Sequence, residues 1–389
     1  MGQRTSGRLA AAGAAAALVL AASACTSSPG TGATPSPPPS AGASSATPSA
    51  QPSTRSDAQI TWTSLRGPFA LNERVHDVDG GRHLFETLDD GVVTLISRDA
   101  TGAEVRLPLG TDDILQQAHL TPDGAVLEVT NDVERTATVM WWPTGKVRAS
   151  VLWDNTADRD GGSIAVIGST LYLDEMTADA TCLLAMDLSA ADPASTGQAV
   201  TCAQPGHVLA PSTDGTTLAW TDEARDEDAG KDADADACAT LMRLTGGEAE
   251  RVDIDGCVER GTASTTLAAW SEHPVAEVDG SLAYGRVPTK AAYAGTTIDL
   301  GHGVSGSAVV CHGRVLWEVE DGVETPEVHS WQPESTPEVI YRSPAVDADG
   351  AELAAGVYGI TCLEDGSIGM HVVTGSGEQS MEFLVAALP

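Results

Sequence analysis

Apolar and polar residues alternate in short runs along most of the chain, and turn residues cut the runs at close intervals. Gln117 to Leu120, Ala125 to Thr130, Thr136 to Trp142 and Lys146 to Trp153 show the pattern well. Pro122-Asp123-Gly124 and Pro143-Thr144-Gly145 separate them. A period of two places one set of side chains on one face of a strand, and Val, Ile, Thr and Trp suit that pleated surface. Pro-Asp-Gly and Pro-Thr-Gly supply the backbone angles of tight turns. No long stretch has helical spacing. The segment therefore predicts four short antiparallel strands.

That unit recurs. A turn leads to Gly or Ser, two variable residues and a Leu that opens the next apolar run. Gly81 leads to Leu84, Gly124 to Leu127 and Gly168 to Leu171. Gly215 leads to Leu218 and Trp220, Ser264 to Leu267 and Trp270, Gly313 to Leu316 and Trp317. The starts are 43, 44, 47, 49 and 49 residues apart. A seventh start is Gly350, leading to Leu353, or Gly366. Four strands in each of seven such units is the pattern of a β-propeller. The expected fold is thus all-β: one seven-bladed propeller of four-stranded blades over residues 57–389. An array of β-sandwiches fits the even spacing less well. After Gly366 only Ser367 to Thr374 and Met381 to Ala387 read as strands. The last blade then lacks its outer strand. Gln59 to Leu65, where Ile60 and Trp62 alternate with polar residues, is the spare that would close the ring and cover a bare sheet edge. Thr121-Pro-Asp-Gly-Ala-Val-Leu127 resembles the turn of bacterial TolB-like propellers, and Thr144-Gly-Lys-Val147 resembles a PQQ repeat. The resemblance covers residues 60–389 as architecture and implies a fold far more than a function.

The N-terminus has a different pattern. Arg4 and Arg8 precede an apolar run from Leu9 to Leu20, and Ala21-Ala22-Ser23-Ala24 then leads to Cys25. This is the layout of a secretory signal. It resembles the lipobox of bacterial lipoproteins, which implies a signal peptide over residues 1–24 and a diacylglyceryl group on the Cys25 thiol. The apolar run falls short of the ~20 residues of a membrane-spanning helix. Residues 25–56 follow as lipidated Cys and linker, nearly all Ser, Thr, Pro, Ala and Gly. Such a composition buries too little apolar surface to offset its ordering entropy, so a disordered stalk is expected. The expected location is the extracytoplasmic face of the cell membrane, with the propeller as a membrane-anchored part of the cell envelope.

Charge narrows the partners. No carboxylate precedes Asp57, so the propeller segment carries 55 acidic against 18 basic side chains, a net of −37. Nucleic acid and anionic lipid surfaces are thereby excluded as direct partners. An envelope protein or a small ligand is expected instead, bound by a monomer.

Six cysteines follow Cys25, an even number in an exported chain. Cys182-Leu-Leu-Ala-Met186 and Cys238-Ala-Thr-Leu-Met242 are matching patterns in consecutive units, each followed by a second cysteine at Cys202 and Cys257. Both pairs are expected to join the third and fourth strands of one blade. Cys311 and Cys362 each precede a Gly turn and would link the innermost strands of the last two blades.

Motifs for chemistry are sparse. Gly301-His-Gly-Val-Ser-Gly306 fits the glycine pattern of a dinucleotide loop, yet strand rather than helix follows it, so it reads as a turn between blades. Ser212-Thr-Asp-Gly215 resembles a sialidase Asp box with its Gly one place early. Asp232, Asp234 and Asp236 alternate as in a calcium loop, but Ala237 and Arg243 stand where an EF-hand needs Gly and Glu. They are kept as a looser calcium candidate; no other cofactor is expected. His76 and His119 each lie five residues before their unit's glycine. The spacing predicts two imidazoles at one level of adjacent inner strands, a candidate ligand-binding pair. No catalytic residue is assigned. Two functions stay open: a binding or scaffolding module, or a propeller enzyme (hydrolase, lyase or quinoprotein) with a site in its channel.

Overall fold

The alternating segments form antiparallel hairpins, and each run of four strands makes one sheet. The computed structural model describes residues 60–65, 73–89, 92–131, 133–155, 160–224, 238–254, 256–272, 286–320, 326–343, 356–363, 365–373 and 381–388. It contains seven four-stranded sheets, the blades of a β-propeller. Blade 2 is representative: Asp113–Thr121, Gly124–Asn131, Thr136–Pro143 and Ser150–Asp154, in order from the channel outward. The innermost strands of the other blades are Glu73–Asp79, Asp160–Ile167, His207–Thr213, Val258–Ala263, Val309–Cys311 and Gly356–Cys362.

The repeat read from the sequence is the turn from first to second strand. In blade 2 Thr121 pairs with Gly124, and in blade 6 Cys311 pairs with Arg314. In blade 7 Cys362 pairs with Ile368, so the seventh start is Gly366; Gly350 lies outside the described residues. The glycines answer different needs. Gly313 has φ +78°, a conformation that Cβ-bearing residues resist. At Gly124 the constraint is space: a Cβ there would lie 2.5 Å from the Trp142 carbonyl oxygen and 2.7 Å from the Trp141 ring. Ser264 makes its turn by side chain, its Oγ accepting the amides of Thr266 and Leu267.

The core is divided among the junctions between blades. Seven apolar clusters occur among the described residues, one at each junction. Second strands are covered on both faces, as in Leu267–Glu272, where every residue but the last is buried. Trp220, Trp270 and Trp317 sit on these strands, fully buried.

The ring closes with the N-terminus. Thr63 and Ser64 pair with Val385 and Leu384, making the outer strand of blade 7, and Leu65 N donates to Phe383 O at 2.9 Å. Trp62 Nε1 donates to Ile340 O of blade 6 at 2.8 Å, and its ring meets Tyr341 edge-on at 5.7 Å. The strap thus fastens blades 6 and 7 together.

All three expected disulfides are present. Cys182 and Cys202 lie directly opposite each other on the third and fourth strands of blade 3. Cys311–Cys362 joins the innermost strands of blades 6 and 7. Cys238–Cys257 departs from the expectation of a bond within one blade. The fourth strand of blade 4 is only Glu248–Arg251, so the chain has already crossed to blade 5 at Cys257. Ala239 bridges Val258 beside it, and the bond staples blade 4 to blade 5.

Candidate binding site in the central channel

A cavity of about 710 Å³ opens where the seven innermost strands end. Every blade contributes to its wall. Blades 6 and 7 give Val309 and Ile360, and blade 3, beyond blades 1 and 2 in the ring, gives Ile164 and Val166. Blades 1 and 2 give Asp77, Asp79, Gln117 and His119, and blades 4 and 5 give Ser212, Thr213 and Thr262.

Many of these polar groups hold the ring together. Leu120 N of blade 2 donates to Asp77 Oδ2 of blade 1 at 2.7 Å. Ser212 Oγ donates to Gly261 O of blade 5 at 3.0 Å, and Val310 N of blade 6 donates to Thr262 Oγ1 at 2.6 Å. His312 Nε2 meets Leu363 O of blade 7 at 3.1 Å. The ring is completed farther out by Thr181 Oγ1 to His207 O at 2.9 Å, Ser169 Oγ to Asp123 Oδ2 at 3.3 Å and His371 Nε2 to Val75 O at 2.6 Å. The ends of innermost strands leave backbone groups facing the next blade, and these side chains satisfy them.

His76 and His119 are not level. His76 is the extra residue of a bulge, since Val75 pairs with Phe85 and Asp77 with Leu84. Its side chain is buried and turns toward the second strand, with Nε2 3.1 Å from Glu86 Oε2. Burial works to raise the Glu86 carboxyl, but His76 and Arg74 outweigh it and hold the group below its usual range. His119 does line the channel, and its level is that of Asp77. The five-residue spacing misleads because the blade 1 turn spends two glycines, Gly80 and Gly81, before Arg82, whereas Gly124 is itself the first residue of its strand.

Burial pushes the His119 imidazole down to about 4, so it is neutral near pH 7. Its Nε2 lies 3.4 Å from Gln117 Oε1, and the Gln117 amide nitrogen donates to Glu128. A carbonyl oxygen can only accept, so Nε2 carries the proton and Nδ1 is an acceptor. Burial raises the Glu128 carboxyl, with the Gln117 bond opposing.

The other candidates lie elsewhere. Asp232, Asp234 and Asp236 fall outside the described residues, between the second and third strands of blade 4; Cys25 is outside them also. Gly301 to Gly306 runs from the outer strand of blade 5 into the turn before blade 6. Asp214 Oδ1 accepts the amides of Thr216 and Thr217, so the Asp-box likeness is a turn in blade 4. Among the described residues no three His, Cys, Asp or Glu side chains gather as a metal site. Sequence reasoning missed Asp77 and His312. The only signal for them is position: His312 directly precedes the repeat glycine Gly313, and Asp77 lies four residues before Gly81.

No protein-family profile matches the chain, and no curated protein matches it in sequence. The solved structures do match, 293 chains in all, so the fold is common and selects no activity. The propeller domain of the Trilobed protease from Pyrococcus furiosus aligns with a TM-score of 0.53 at 8% identity, covering 82% of this chain and 94% of that one. Its topology is described as an open velcro. An acylaminoacyl peptidase from Pyrococcus horikoshii gives 0.50 at 9% identity, over 81% of this chain and 51% of that one. An oligogalacturonate lyase from Vibrio parahaemolyticus gives 0.47 at 11% identity, over 86% and 95%. At such identities the likeness is one of fold alone.

Proposed function

We propose that this protein is a lipid-anchored, extracytoplasmic binding and scaffolding module that engages an envelope partner or ligand through one end of its propeller. The observation that carries the reading is the use of the channel's polar groups. Asp77, Ser212, Thr262 and His312 each hold the neighbouring blade. Groups committed to the frame give a rigid rim, and rigid rims suit recognition. The signal-like N-terminus with Cys25 and the Ser, Thr, Pro and Ala stalk support presentation on the outer membrane face. Among the described residues no helix is long and apolar enough to cross a membrane.

The test has two arms. Cys25→Ser should abolish incorporation of a labelled fatty acid and detergent-phase partitioning. Photocrosslinkers at the channel rim should capture one envelope partner or ligand in intact cells, while hydrolase, lyase and dehydrogenase substrates show no turnover with or without calcium and PQQ. Turnover lost in His119→Ala would replace this reading with a channel-centred enzyme.

A further inference from the structure

We infer that the channel mouth is a site for a small organic cation, its ammonium or guanidinium head on the Asp77 side and its apolar body against the neighbouring blades 7 and 6. The inference rests on the binding-module reading and names the chemistry bound. Its first support is size: about 710 Å³ lies within the range of small-molecule sites. Its second is the mixed wall. Val309 and Ile360 on one flank of blades 1 and 2, and Ile164 and Val166 on the other, set apolar surface beside the carboxylates and neutral polar groups. A purely polar solute would leave the apolar part unused, and a purely apolar one would desolvate the polar part without compensation.

The third support is the sign of the charge. Among the described residues no Lys or Arg lines the cavity. The Arg82 guanidinium is turned onto Asp79 Oδ2 at 3.0 Å and the Thr121 carbonyl. Asp77 is fixed at the wall by the Val78 and Leu120 amides, each 2.7 Å away. Around it lies a propeller with a net charge of −37. Low-dielectric walls focus such a field into a cleft and concentrate cations there while repelling anions.

The fourth is His119. With its proton on Nε2 toward Gln117, it keeps Nδ1 as an acceptor, on a side chain that lines the cavity at the level of Asp77 on the neighbouring blade. An ammonium group carries donors and no acceptor, and this corner of the wall offers what it requires.

The experiment uses three probes with one apolar body and three head charges: hexylammonium, hexanol and hexanoate. Each is titrated into the mature lipoprotein in detergent micelles, with micelles alone as the blank. Hexylammonium should bind at least about tenfold more tightly than hexanol, hexanoate should not bind, and the hexylammonium affinity should fall as salt rises. Ala165→Trp fills the cavity and Thr216→Trp blocks its rim without changing charge; at least one that melts as the wild type does should abolish binding. His119→Leu should weaken it about threefold or more through the lost acceptor. Equal or tighter binding of hexanol or hexanoate overturns the cation assignment, as does the absence of binding by all three. Hexylammonium binding that survives both tryptophan variants overturns the location. The binding-module reading fails separately, on turnover of the substrate panel.

Discussion

Blade 2 and blade 7 have the same four-stranded architecture and are built in different ways. Blade 2 is one continuous segment from Asp113 to Asp154, so each strand meets the next through a short turn. Blade 7 takes three strands from the C-terminal segment and its fourth, Thr63–Ser64, from the opposite end of the described chain. Local hairpins close at little entropic cost, whereas bringing residue 63 to residue 385 closes a loop of most of the domain. The seam beside blade 7 is correspondingly reinforced at every radius. Cys311–Cys362 crosses it at the channel, a shared apolar cluster fills it, and Trp62 straps it outside. The difference teaches that a ring of local units needs one non-local fastening, and that this chain sets one of its three disulfides and the Trp62 strap beside it.

The largest expected effect comes from breaking that fastening. Removing residues 57–65 should destabilise the propeller by about 5 kcal/mol or more, through lost burial of Ile60 and Trp62 and an open edge on blade 7. Thermal melting of the truncated and full chains decides it; equal stability would mean that closure does not depend on the strap. Next is the disulfide of the same seam. Replacing Cys311 and Cys362 together by Ser should cost about 4 kcal/mol in the chain-entropy model, against about 3 for Cys182 and Cys202 inside blade 3. The two double variants, unfolded in denaturant, test whether the seam exceeds a bond within one blade.

A third prediction concerns Glu318, buried on the second strand of blade 6 and facing blade 7. Burial, with Glu320 adding repulsion, raises its carboxyl to about 7, although the Val357 amide favours the charged form. An unfolded Glu releases its proton near 4.5, while the folded chain holds it to about 7. Stability therefore falls as pH rises between those values, and the loss is complete above them. Glu318→Gln should stabilise the protein by up to about 3 kcal/mol at pH 8 and by little at pH 4. A gain of the same size at both pH values would assign it to packing instead. The smallest effect is Trp62→Phe, which keeps the ring contact with Tyr341 and removes the hydrogen bond to Ile340 O; about 1 kcal/mol should be lost in melting experiments.

Much of this molecule is legible in its sequence. Period-two alternation and the spaced Gly-to-Leu turns determined the strands, the count of blades and the place of the repeat within each blade, because hairpin turns and strand pleats are local consequences of φ/ψ preference. The unpaired Gln59 to Leu65 pointed to closure, and matched cysteine patterns pointed to the three pairs. Tertiary structure alone decided the rest. It placed Cys238–Cys257 across a junction, because the length of a short outer strand is set by its neighbours. It turned His76 toward the second strand at a bulge and put Asp77 level with His119, because a one-residue slip changes which face a side chain occupies. It also gathered the channel wall from seven distant segments, a proximity that ring closure creates and that no spacing within a single repeat encodes.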